Sequence, residues 1–168
     1  MEENPFASAS IGQVHLARLK NGKKVAVKIQ RPGIRKQITV DLEIMHHLAT
    51  LIERHIMDLS FFRPVKIVEE FAETLEKEMD YNLEASNMIR VAQQFQFDST
   101  VYIPDVYLDK TTETVLTMEY IQGIKISETD RLDQQGMDRK MLTRHGADLI
   151  LKQVFEYGFF HADLHPGN

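Results

Sequence analysis

The sequence predicts an α+β fold, and three observations carry that prediction. Residues 14–30 alternate apolar and polar side chains on either side of an Asn-Gly pair, the strongest short-range mark of an antiparallel hairpin. Two long stretches, 34–58 and 65–97, carry apolar residues at helical spacing instead. After residue 122 the spacing is helical again, until a polar turn containing Pro166-Gly167 closes the chain. No internal repeat or low-complexity segment interrupts this order.

Composition narrows the function classes. A chain of 168 residues is long enough for one domain with its own core. With 20 basic and 25 acidic residues its net charge is −5, which offers no general attraction to nucleic acid or anionic lipid. The absence of cysteine excludes a disulfide framework and a thiolate zinc site. No signal-peptide pattern opens the chain, and no apolar run approaches the roughly 20 residues that cross a bilayer. Its abrupt ends lead us to expect a piece of something larger.

Residues 5–14 are small and polar, then turn apolar. In residues 14–19, Val14, Leu16 and Arg18 share one face, and His15, Ala17 and Leu19 the other. Lys20-Asn21-Gly22-Lys23 is the turn. The return strand, 24–30, puts Val25, Val27 and Ile29 on one face and Ala26 and Lys28 on the other. A strand lysine ordinarily points to solvent, but the small Ala26 beside it leaves room for a ligand above that face. Arg31-Pro32-Gly33 ends the strand.

Residues 34–58 read as an amphipathic helix on Ile34, Ile38, Leu42, Met45, Leu48, Ile52 and Ile56. Its histidines, His46, His47 and His55, suit a solvated surface better than a metal site. Phe61-Phe62-Arg63-Pro64 is a break, and Pro64 suits a first helical turn. Residues 65–97 contain neither Pro nor Gly and read as one acidic helix, marked by Ile67, Phe71, Leu75 and Met79. Most of its carboxylates belong to a solvated face. Asp80, Glu84 and Asn87, at i, i+4 and i+7, share a stripe that would form a half-buried ion pair if turned toward the strand of Lys28.

Pro104 makes 103–108 a short edge strand, and with 114–120 it forms an expected hairpin over 106–120. Gln122-Gly123 reads as a hinge. Ser127 is expected to cap a helix over 128–135, and 137–158 forms another, stopped by Gly158. The domains expected are therefore 1–122 and 123–168.

The last eight residues, His161-Ala162-Asp163-Leu164-His165-Pro166-Gly167-Asn168, crowd a carboxylate, two imidazoles and a carboxamide into one turn. Asp163 and Asn168 have the spacing of the Asp and Asn in a protein-kinase catalytic loop. Phosphoryl transfer needs an acceptor for the nucleophile's proton and an oxygen ligand for magnesium, and one short loop can present both.

Taken in order, Ala7-Ser8-Ala9-Ser10-Ile11-Gly12-Gln13-Val14-His15, Val25-Ala26-Val27-Lys28 with Gln30-Arg31-Pro32-Gly33, Glu78-Met79-Asp80, Glu84-Ala85 and the closing octet resemble the motifs of the UbiB-like, aarF-domain family of atypical kinases linked to ubiquinone biosynthesis. The resemblance spans essentially the whole chain. It implies a protein-kinase-like fold: an antiparallel-sheet N-lobe with a helical insertion, then the start of a helical C-lobe. It implies ATP and Mg2+ as cofactors. Lys28 resembles the lysine on the α- and β-phosphates, and Glu84 its ion-pair partner. Asp163 resembles the catalytic aspartate, and Asn168 a magnesium ligand. Phe6, Ala7, Ser8, Ala9, Ser10, Ile11, Gly12, Gln13 and Val14 resemble the loop over the phosphates, and Glu119 and Ile121 fall where the nucleotide is contacted ahead of the hinge. Ala7 and Ala9 stand where other kinases have glycine, and alanine restricts a backbone that glycine would leave free to approach phosphate. Glu78 and Asp80 match a regulatory E-x-D motif.

Two parts of the family pattern are not in this sequence: a K-x-G-Q segment, expected upstream of Met1, and an Asp-Phe-Gly-like magnesium aspartate, expected after Asn168. The piece alone is therefore expected to have little activity, and the full-length parent to be an ATP-binding kinase or ATPase. The resemblance also implies isoprenoid quinone precursors and biosynthetic enzymes as partners. It implies a cytoplasmic place peripheral to the inner membrane in a bacterium, or an organellar one in a eukaryote, with membrane contact only through segments outside these residues. Two other readings are open. One is a non-catalytic, nucleotide- or lipid-binding pseudokinase scaffold. The other is a metal-dependent hydrolase built on His161, Asp163 and His165, which would leave Lys28 and its strand unexplained.

Overall fold

The computed structural model describes residues 4–56 and 61–160. These fall into two compact units, one of residues 4–56, 61–89 and 104–120, the other of residues 90–103 and 121–160.

The first unit is built on a four-stranded antiparallel sheet in the order β1 (Ala7–Ser8), β2 (Gly12–Arg18), β3 (Lys24–Gln30) and β4 (Val115–Glu119). The hairpin of β2 and β3 closes at the expected turn, where Leu19 N–H donates to the Lys23 carbonyl at 2.9 Å and Gly22 takes a left-handed φ of 87°. Register places Val14, Lys28 and Leu116 side by side across three strands, hence on one face. Val25 and Ala26 are both buried, so the start of β3 is covered on both faces.

After Gly33 the chain enters α1 (Ile34–His55), which packs along α2 (Pro64–Glu78). Ala49 is buried and Ile38, Leu42 and Ile52 are half-buried, whereas Leu48 and Ile56 from the expected apolar stripe are exposed. Pro64 occupies the first turn of α2, as its fixed φ and missing N–H favour.

The single helix expected over 65–97 is two helices. α2 ends at Glu78, and α3 begins anew as Tyr81–Gln94. No Gly or Pro is needed, because tertiary hydrogen bonds replace intrahelical ones at the break. The buried Gln30 carboxamide donates to the Met79 carbonyl at 2.6 Å and to the Glu113 carbonyl at 3.2 Å, and Tyr81 N–H donates to Glu113 at 3.0 Å. Asp80 acts as the new N-cap, its Oδ1 accepting from Asn82 N–H at 2.9 Å. Asp80 is thus not in helical register with Glu84, and Asn87 is exposed, so the expected three-residue stripe reduces to Glu84.

The core of this unit is Tyr81, Ala85 and Leu116, none with accessible surface, ringed by Ile11, Met88, Val106 and Met118. α3 therefore lies on the sheet face that carries Leu116 and Lys28. The segments expected to form a hairpin over 106–120 do meet antiparallel, over a short stretch. β4 pairs with β3 on one edge; on the other, Val106 bridges Met118, with Tyr107 N–H donating to the Thr117 carbonyl at 2.9 Å and Glu119 N–H to the Asp105 carbonyl at 2.8 Å. Pro104 cannot donate to a ladder, and Leu108–Lys110 tightens into a 3-10 turn held by Thr117 Oγ1 donating to the Lys110 carbonyl at 2.8 Å.

In the second unit, α4 (Thr129–Gln134) follows Glu128 rather than a Ser127 cap, and α5 (Arg139–Leu151) starts from Asp138, whose carboxylate accepts from Lys140 N–H at 2.8 Å. The helix expected over 137–158 changes character at its end, where Lys152–Glu156 widens into a π-turn. Residues 90–103 pack against that end. Phe95 meets Tyr157 edge to face at 5.2 Å, Tyr157 Oη donates to the Gln94 carbonyl at 2.9 Å, and Lys152 pairs with Asp98 at 2.5 Å. That ammonium, with Thr100, holds the Asp98 carboxyl well below the usual carboxylate range.

The break before α3 depends on its cap. Asp80→Ala should destabilise the protein by about 1 kcal/mol, and Asp80→Asn by only a few tenths, in urea unfolding followed by circular dichroism. Equal losses from the two variants would contradict the capping role.

Candidate functional site

The sheet face beneath α3 brings together Lys28 and Glu84, two of the residues singled out as nucleotide contacts. Lys28 Nζ lies 2.7 Å from Glu84 Oε2 and 3.0 Å from Oε1, so the carboxylate holds the ammonium with both oxygens. The side chains are 20% and 37% exposed, which places the pair at the edge of the core. An ion pair so placed gains more than a solvated one from the lower dielectric, and loses more if one partner is removed.

The loop expected over the phosphates is itself a small hairpin. Ala7 pairs with Val14 and Ser8 with Gln13, while Ala9 N–H donates to the Gly12 carbonyl at 2.9 Å to close the turn. Ser10 stands exposed at its tip, and Ile11 tucks into the core. Arg31 braces it from behind, its N–H donating to the Ile11 carbonyl at 3.0 Å and its guanidinium to Ala9 at 3.2 Å. Phe6, although 60% exposed, meets Tyr120 edge to face at 5.9 Å.

Gly12 serves a purpose other than left-handed backbone. A Cβ there would lie 2.5 Å from Tyr81 Oη and 2.7 Å from the Ile29 carbonyl oxygen. Glycine is needed because β2 and Tyr81 approach too closely for any side chain. Tyr81 has no exposed surface, and among the described residues its hydroxyl has no hydrogen-bond partner. Its ring lies beside Lys28, with Nζ 4.7 Å from the centroid. Burial, and then the charges of Glu84 and Glu78, push the phenol up to about 12.

The other expected residues fall elsewhere. Glu119 pairs in register with Val25, on the face opposite Lys28, and its carboxylate accepts from Asp105 N–H at 3.3 Å. Ile121 belongs to the second unit and is 42% exposed. Glu78 is exposed and Asp80 half-buried, the latter engaged as the cap of α3. Asp163, Asn168, His161 and His165 lie outside the described residues. Among the described residues no group of three or more His, Asp or Glu is placed to hold a metal, and no helix is long and apolar enough to cross a membrane.

The motifs name Gln30 without giving it a role, and they leave out Tyr81. Gln30 sits two positions beyond Lys28, on the same strand face, and Tyr81 precedes Glu84 by three, so it shares that helix face. Periodicity anchored on Lys28 and Glu84 would have found both.

Tyr81 gives a sign that can be checked. A neutral phenol whose folded value exceeds its unfolded value of 10 stabilises the protein fully below pH 10 and loses that contribution between about pH 10 and 12. Relative to Tyr81→Phe, the native protein should lose roughly 2–3 kcal/mol over that interval in urea unfolding. Below pH 10 the phenylalanine variant should be at least as stable, because a buried hydroxyl without a partner costs about 1–3 kcal/mol. Parallel pH curves for the two proteins would refute the assignment.

Comparison with known proteins bears on the whole chain. Residues 1–168 match the ABC1 atypical kinase-like domain. A probable protein kinase UbiB from Aliivibrio salmonicida is 41% identical over 98% of this chain, and one from Sodalis glossinidius is 41% identical over 99%. The chain spans about a third of the length of these relatives, 30% and 31%. Among solved structures, that of Rv3197 from Mycobacterium tuberculosis in complex with erythromycin superposes with a TM-score of 0.82 at 32% identity, covering 99% of this chain and 41% of that one. With its antiparallel sheet, its helices and the lysine–glutamate pair between them, the chain belongs to the ABC1 atypical kinase-like family.

Proposed function

We propose that the full-length protein carrying this sequence binds ATP with magnesium on the Lys28 face of the sheet, and uses it as an atypical kinase or ATPase in support of isoprenoid quinone biosynthesis. The observation that carries this reading is the two-oxygen grip of Glu84 on the Lys28 ammonium, at 2.7 and 3.0 Å. A lysine held in this way on a central strand is pre-set as a cationic contact for phosphate oxygens. The name shared by the relatives, probable protein kinase UbiB, supports the kinase part and implies the quinone part.

Within this reading Lys28 holds the α- and β-phosphates, Glu84 orients it, and residues 6–14 cover them. Asp163 accepts the proton of the attacking hydroxyl or water. Asn168 offers a carboxamide oxygen to magnesium, which when bound neutralises the β- and γ-phosphate oxygens. Isoprenoid quinone precursors and the enzymes that process them are the proposed partners, and membrane contact is assigned to segments outside these residues, at the cytoplasmic side of an inner membrane.

The test is ATP binding and turnover by the full-length protein. Lys28→Ala should weaken ATP binding by about tenfold or more, the equivalent of some 1.4 kcal/mol. Asp163→Asn should leave binding intact and lower turnover by roughly 10²–10⁴-fold, the usual contribution of a general base. The 168-residue piece alone should hydrolyse little ATP. Undiminished turnover in Asp163→Asn would favour a scaffold, and loss of activity with His165→Ala but not Lys28→Ala would favour a metal-dependent hydrolase.

A further inference from the structure

We propose that Tyr81 is a positioning residue for the nucleotide lysine, its ring forming a fixed floor against which the Lys28 ammonium is held for phosphate. The inference rests on the nucleotide reading above and adds to it a residue that no motif names.

The ring lies 4.7 Å from Nζ, within the range at which an ammonium is drawn to an aromatic face. Parts of the fold other than the lysine immobilise it. The Tyr81 backbone N–H donates to the Glu113 carbonyl at 3.0 Å, and its side chain is packed with Ala85 and Leu116 in the fully buried core. At its far end the hydroxyl abuts Gly12, 2.5 Å from where a Cβ would sit. One buried ring therefore supports both the lysine and the base of the hairpin at 6–14.

The chemistry of the two contacts explains why a ring and a carboxylate are paired. A lysine side chain is long and free to rotate, so a single partner leaves it many arrangements. Tyr81 and Glu84 stand three residues apart on one helix face, and hold the ammonium from two directions. A second carboxylate would over-neutralise the cation and repel the incoming phosphate. An aromatic face attracts the ammonium while adding no net charge, so the positive charge stays available.

The experiment varies the ring's electrostatics at nearly constant shape. In the full-length protein, Tyr81 is replaced by Phe and then by phenylalanines bearing one, two and three ring fluorines, which progressively drain the negative face. Binding of a fluorescent N-methylanthraniloyl ATP is measured with Mg2+, alongside the urea midpoint and a Lys28→Met control. Affinity should fall stepwise with each fluorine, by about three- to tenfold across the series, while the urea midpoint holds and Lys28→Met removes binding. A flat affinity series with binding still dependent on Lys28 overturns the role of the ring alone. Binding that is absent in the native protein, or unchanged in Lys28→Met, overturns the nucleotide reading and this inference together.

Discussion

The first unit depends on bringing a cation on the central strand together with a carboxylate that lies 56 residues later in the chain. An ammonium on the core-facing side of a sheet is costly unless it is paired, and the partner must arrive with little freedom to drift. The elements around the pair meet that demand in sequence. Gln30, on the same strand face, takes the Met79 carbonyl and so fixes where α2 stops. Asp80 caps the helix that begins there, and Glu84 comes one turn later, in reach of Lys28. The break between α2 and α3 is what delivers the carboxylate at the right height.

The small core follows from the same arrangement. α3 presents Tyr81, Glu84, Ala85 and Met88 to the sheet, a stripe in which one carboxylate replaces an apolar side chain. Alanine at 85 and glycine at 12 let backbone approach backbone, and the tyrosine fills the space between them. Full burial of so large a ring contributes several times the roughly 0.8 kcal/mol of a single methylene, which offsets the desolvation of the neighbouring charge. The pairing and the packing therefore stabilise each other, and neither is a separate layer added to the fold.

Much of this was legible in the sequence. The β2–β3 hairpin, its Asn21-Gly22 turn and the side of β3 that carries Lys28 follow from period-two alternation, whereas the meeting of Lys28 with Glu84 was implied only by the family resemblance. The break at Met79 and Asp80 was hidden because helix propensity and the lack of Gly or Pro favour continuity, while the hydrogen bonds that end α2 come from β3 and from Glu113, far away in sequence. An aspartate inside an acidic run gives no warning that it is a cap. The pairing of 105–107 with 117–119 was legible as a hairpin, but the use of the other edge of β4 by β3 was not, because local alternation does not rank distant partners. Gly12 was legible as important but for the wrong cause, since its close neighbour, Tyr81, lies on a helix that is remote in the sequence.

The E-x-D pair then takes on a structural meaning beside its regulatory resemblance. Both hydrogen bonds that Asp80 accepts from Asn82 fall on Oδ1, one from the backbone N–H at 2.9 Å and one from the side-chain amide at 3.0 Å. A carboxylate has a second oxygen with lone pairs of its own, so a further donor can bind Asp80 without uncapping α3. Such a donor would act on the cap of the helix whose second turn begins near Glu84, and whose side chain at 81 lies beside Lys28. Asp80 and Glu84 thus stand within the first turns of one helix, the one as its cap and the other as the partner of Lys28. The cap of α3 and the carboxylate of the ion pair are therefore set by one short stretch of chain, residues 80–84.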